Sequence, residues 1–169
     1  MLKLPFLLLQ QRLSEMSQLP DVRWFNAQFD QNKDEAVFYV PSVYIEFLPM
    51  DLEDIGEQVQ GGEVMFRIHL MTELYDDNDR VLAHFDLVDD IFKHLHGWDV
   101  MKSALPEFSA LQDTEDDVAI INKVVRTRLI PDHAQSNTII TVQEFKTYVA
   151  DFAAMKSYIE FSPTITVLR

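Results

Sequence analysis

A chain of 169 residues has the length of one domain, enough for a real hydrophobic core, and without cysteine it forms neither disulfides nor thiolate metal sites. Hydrophobic residues at 47% and charged residues at 25% exclude bulk disorder. The 28 acidic against 14 basic residues leave a formal charge of −14, which repels a phosphate backbone and argues against tight nucleic-acid binding.

Residues 2–17 are expected to form an amphipathic helix. Leu2, Phe6, Leu9, Leu13 and Met16 recur at steps of three and four, and Pro5 falls in the first turn, where its missing N–H costs little. The run Leu4–Leu9 is too short to span a bilayer and no small-residue cleavage site follows it, so a signal peptide is not expected and the protein is expected to stay in the cytoplasm where it is made. Val22–Phe29, rich in β-branched and aromatic residues, predicts a strand with Val22 and Trp24 on one face.

Asp30–Glu35 is a polar turn, and Pro41 marks a strand start. The second strand is placed at Val43–Leu48, with Val43, Ile45 and Phe47 buried. Asp51–Gly62 is an acidic connection. Glu63–Thr72 gives the clearest strand, in which Val64, Phe66, Ile68 and Leu70 alternate with Met65, Arg67, His69 and Met71. The two strands predict a long hairpin.

Asp76, Asp77 and Asp79 suit the start of a helix carrying Leu82, Phe85, Val88, Ile91, Phe92 and Leu95 as its apolar stripe, with Gly97 as its stop. Leu105–Leu111 is irregular and Asp113–Asp117 a charged turn. Ile121–Ile130 predicts a strand and Asn137–Val149 its antiparallel partner. Phe152–Ile159 is a candidate short helix and Thr164–Leu168 a candidate final strand. The order predicts an α+β fold, a mostly antiparallel sheet of four to five strands flanked by two to three helices. Residues 1–169 are expected to form a single domain, with its core at about 20–150 and a C-terminal extension at 152–169.

No motif points to chemistry. Asp30-x-Asn32-x-Asp34 begins like a calcium loop, but Glu35 stands where glycine is needed and Pro41 where a bidentate Glu belongs. His94 and His96 fall about 200° apart on a helix and cannot chelate one ion there. His84 is ten residues from His94, so an exposed role is expected for these histidines. There is no G-x-S-x-G and no Walker loop, so no catalytic residue, metal or cofactor is assigned and the protein is not expected to be an enzyme. Glu46 and Arg67 occupy the polar phase of neighbouring strands; paired across the hairpin they would form an exposed salt bridge, and in a subunit interface they would serve as a register device. The rival of a different class is a small metal-dependent hydrolase using scattered Asp and His side chains.

Several segments together carry a resemblance: Val22–Asn26, Pro41–Phe47, Gly61–Leu70, Phe85–Leu95 and Thr138–Tyr148. Over about residues 20–150 the pattern resembles the tail terminator or tail-completion proteins of tailed phages, a head–tail joining family. The resemblance implies a non-enzymatic virion subunit that forms a ring with copies of itself, usually a hexamer, at the head-proximal end of the tail. It implies contacts with the tail tube protein and the head connector, and DNA passing without specific binding; a tail-tube or other connector protein is the neighbouring alternative. The candidate contact residues are Glu46 and Arg67, Asp51, Glu53 and Glu57 in the acidic connection, and Asp76, Asp77 and Asp79 before the second helix.

Overall fold

The computed structural model describes residues 2–26, 40–57, 59–73, 78–99, 118–120, 122–131 and 138–151. The expected calcium-like turn at 30–35, the irregular stretch 105–117, Asp76 and Asp77, and the two C-terminal elements lie outside these residues.

The fold is α+β, as the element order predicts, and its sheet is larger than the sequence suggests. In chain order the elements are α1 (Lys3–Ser14), β1 (Asp21–Trp24), β2 (Ser42–Phe47), β3 (Glu53–Gly56), β4 (Val59–Glu73), α2 (Asn78–Leu95), β5 (Val118–Ile120), β6 (Val125–Pro131) and β7 (Thr138–Asp151). The strands form a seven-stranded sheet of order β1-β2-β4-β7-β5, with β3 added to β4 and β6 to β7. Among the described residues only β1 runs parallel to its neighbour, pairing Val22 with Val43 and Trp24 with Ile45.

Two long central strands organise the sheet. β4 and β7 pair antiparallel from Gln60 opposite Asp151 to Glu73 opposite Thr138. On one face Val64, Phe66, Ile68 and Leu70 join Phe145 and Val149, and α1 and α2 close over them with Leu8, Leu9, Leu13, Val88, Ile91 and Leu95. Phe66 stacks on Phe145 with ring centroids 5.6 Å apart. The other face is also apolar in part, since Tyr44, Met71, Ile140 and Val142 are buried there with Phe25, Val40 and Ile130 against them. Burial on both faces explains why Met65 and Met71 interrupt the polar phase of β4.

Helix phases differ from the sequence reading. In α1 the buried residues are Leu4, Pro5, Leu8, Leu9 and Leu13, whereas Leu2 and Phe6 are only partly covered. In α2 the stripe rotates to His84, Val88, Ile91 and Leu95 and leaves Leu82 58% and Phe85 52% exposed. His84 takes a core position because two threonines of the sheet satisfy its ring, a partnership that periodicity does not reveal.

The helix ends are tied together. The His94 Nε2–H donates to the Arg12 carbonyl at 2.6 Å, and Arg12 Nη2 donates to the His94 carbonyl at 3.3 Å. Gly97 stops α2 with φ +79°, and its N–H donates to Val124 at the entry to β6.

The expected connection Asp51–Gly62 is mostly strand. β3 folds back on the start of β4, pairing Glu53 with Gly61 and Gly56 with Val59, and so lengthens the hairpin beyond the end of β2. This arm needs Gly62, where an added Cβ would collide with the Asp51 carbonyl oxygen. At Gly61 the nearest atoms are the movable ends of Ile55 and Tyr148, both 2.9 Å away. Chemical denaturation should therefore show Gly62→Ala losing about 1–3 kcal/mol, with a smaller loss for Gly61→Ala.

Candidate functional site

Three groups of polar side chains merit separate treatment, because their surroundings give them different capacities. The first lies on the sheet face turned away from the helices. Register places Glu46 directly opposite Arg67, the first of the two arrangements the sequence left open, and Arg67 opposite Glu144. Arg67 Nε donates to Glu144 Oε2 at 3.2 Å, while its Nη1 lies 3.6 Å from Glu46 Oε2. The same Glu46 oxygen is 2.9 Å from His69 Nε2, and the His69 ring stacks on Phe25 at 4.3 Å.

Glu46 and Arg67 thus belong to a four-residue network inside the chain, not to an exposed pair. Sequence reasoning missed His69 and Glu144. The available signal was Gln143-Glu144, two adjacent polar residues within an otherwise β-branched and aromatic strand. Glu144 is 4% exposed, and Arg67 is its charged partner among the described residues. Removing Arg67 leaves a carboxylate with little access to water. Because Arg67 is itself about one-third exposed, Arg67→Met should cost about 1–3 kcal/mol, less than a fully buried pair would lose. The double variant Arg67→Met/Glu144→Met should recover most of it, which a double-mutant cycle in denaturant measures.

The second group centres on His84, 1% exposed beneath the first turns of α2. Its Nδ1 is 2.8 Å from Thr72 Oγ1 on β4 and its Nε2 is 2.7 Å from Thr141 Oγ1 on β7. A neutral imidazole offers one donor and one acceptor, and two hydroxyls match either tautomer. Beside it opens a cavity of about 190 Å³ bordered by Thr72, Glu73, Arg80 and Leu87.

Burial lowers the His84 pKa from its ordinary 6.5. As pH falls through 6.5 the unfolded chain takes up a proton that the folded chain resists, so folding weakens down to the lowered folded value and is unaffected above the ordinary one. The melting temperature should drop as pH falls through the ordinary value of 6.5, and His84→Gln should flatten that drop.

The third group is the arm. Asp51, Leu52, Glu53, Asp54, Ile55, Gly56 and Glu57 are all exposed. Asp54 accepts a hydrogen bond from Gln60 Nε2 at 3.2 Å. The carboxylates of Asp51, Glu53 and Glu57 have no partner among the described residues. Three predicted contact residues are therefore brought together on one projection, joined by Asp54, which the sequence reading did not single out. Asp79 lies apart, exposed in the first turn of α2.

Among the described residues, no three His, Asp or Glu side chains gather where they could hold a metal ion, and no helix is long and apolar enough to cross a membrane. No protein-family model matches the chain, and no curated protein matches it.

Proposed function

We propose that this chain is a structural subunit of a phage-type tail, a tail terminator-like protein that assembles into a ring at the head-proximal end. There it would bind the tail tube protein on one side and the head connector on the other, in the neck of the virion.

The observation that carries the reading is the β3–β4 arm. Most polar side chains of the sheet are spent within the chain, as the Arg67 and His84 networks illustrate. The arm differs, projecting past β2 with unpartnered carboxylates and with Leu52 and Ile55 turned outward, 43% and 46% exposed. An edge strand that keeps both its backbone groups and apolar side chains in solvent is suited to meeting another protein. The resemblance of Pro41–Phe47, Gly61–Leu70 and Phe85–Leu95 to the tail terminator group supplies the class of assembly. The formal charge of −14 favours DNA sliding past without adhering.

Native mass spectrometry of the purified chain, alone and with a phage tail tube protein, tests the reading. A closed species of several copies that binds the tube protein is expected. A strict monomer that ignores the tube protein and retains a tightly bound metal overturns it in favour of an enzyme.

A further inference from the structure

On the two sides of the sheet lie strands of opposite charge, β3 on the side that also ends in β1 and β6 on the side that also ends in β5. β3 borders β4 beyond the end of β2, with Asp51, Glu53, Asp54 and Glu57 exposed and no basic residue among them. On the other side β6 borders β7 next to β5, and among the described residues it pairs only with β7. It carries Arg126 and Arg128 and follows Lys123, with no acidic residue from Asn122 to Pro131. Arg126 is engaged within the chain, its guanidinium 3.7 Å above the Phe92 ring and bonded to Gln143. Arg128 and Lys123 are exposed and have no side-chain partner among the described residues.

Apolar exposure matches as well. Leu52 and Ile55 on the acidic edge are 43% and 46% exposed, and Val125 and Leu129 on the basic edge are 38% and 46% exposed. At the start of β6 a cleft of about 500 Å³ opens, bordered by Lys123, Val125, Lys146 and Tyr148 together with Glu63 and Asp99.

We infer that the acidic β3 edge of one copy docks along the basic β6 edge of the next. The inference rests on the self-assembly part of the proposed function and names the surfaces that would perform it. Direction agrees with this pairing. β3 is antiparallel to β4, β4 to β7 and β7 to β6, so β3 and β6 run oppositely in one copy. A second copy in the same orientation, shifted along the strands until its β6 is level with β3, makes the two strands antiparallel neighbours, the arrangement that extends a sheet between chains.

Charge also excludes the alternatives. Two β3 edges would oppose carboxylates, and two β6 edges would oppose Arg128 and Lys123, so symmetric pairing of like edges is disfavoured and the head-to-tail contact is selected. Repeated by rotation, a head-to-tail contact closes a ring. β6 lies level with Met65–Leu70 of β4, whereas β3 lies level with Val59–Gly61. The arm is thus offset along the strands from the edge it meets, and its projection beyond β2 is what lets it reach the neighbour.

Two full-length variants test this, Glu53→Lys/Glu57→Lys on the arm and Lys123→Glu/Arg128→Glu on the edge, with circular dichroism confirming folding. Each alone should need at least about tenfold more protein to assemble than the wild type, by analytical ultracentrifugation. Their equimolar mixture should recover assembly, because alternating copies set wild-type β3 against wild-type β6 at one junction and the two reversed charge patterns against each other at the next. Variants that assemble like the wild type overturn the inference and leave the proposed ring standing, whereas a wild-type chain that stays monomeric with and without tube protein overturns both. If a charge variant misfolds, Ile55→Cys and Leu129→Cys chains in this cysteine-free background serve instead. Treated together with a bismaleimide they should crosslink to each other in preference to themselves; equal self-crosslinking contradicts the head-to-tail contact.

Discussion

The antiparallel pairing of β4 with β7 is the constraint on which everything else depends. It runs the length of both strands, from Gln60 opposite Asp151 to Glu73 opposite Thr138, and every other strand except β1 attaches directly to one of the two. Its register sets Phe66 over Phe145, Arg67 beside Glu144, and Leu70 beside the Thr141 that holds His84. A slip of one residue would exchange the two faces and place Arg67 in the helix-covered core. The apolar core and both polar networks therefore share one registration.

From that pair the edges follow. β4 extends past the end of β2, so the extra length must be covered by another strand or left open, and β3 covers it by folding back through Gly56 and Glu57. β7 is bordered on its far side by β5 and β6 in succession, joined across the stretch where Thr147 Oγ1 donates to the Asn122 carbonyl. The sheet thus carries an acidic strand, β3, on the side of β1 and a basic strand, β6, on the side of β5. A chain whose overall charge is strongly negative concentrates part of its scarce positive charge on β6, and this polarity is what the proposed assembly uses.

Much of this was legible in the residues. Strict alternation over Val64–Leu70 located β4, β-branched density located β7, and Gly97 marked the end of α2. The hairpin was legible too, although its register, which sets Glu46 opposite Arg67, came from the structure. What escaped reading depends on tertiary partners. His84 looks like a surface residue until Thr72 and Thr141 arrive from two different strands, and Leu82 and Phe85 look like core until that rotation of α2 turns them outward. Glu144 looks like the solvent phase of a strand until Arg67 reaches across. β3 was hidden for another reason, since Glu53-Asp54-Ile55-Gly56 has a turn-like composition and becomes a strand because β4 offers an open edge beside it. The polarity of the two edges needed the topology, which alone shows that β3 and β6 lie on opposite sides of one sheet.

The central claim is that self-assembly joins β3 of one copy to β6 of the next. Amide hydrogen exchange, compared between dilute monomer and assembled protein, addresses it most directly because exchange reports each strand separately. The account predicts slower exchange confined mainly to Glu53–Gly56 and Val125–Ile130. Unchanged exchange in both strands, with new protection instead around Leu82 and Phe85 on α2, would contradict it.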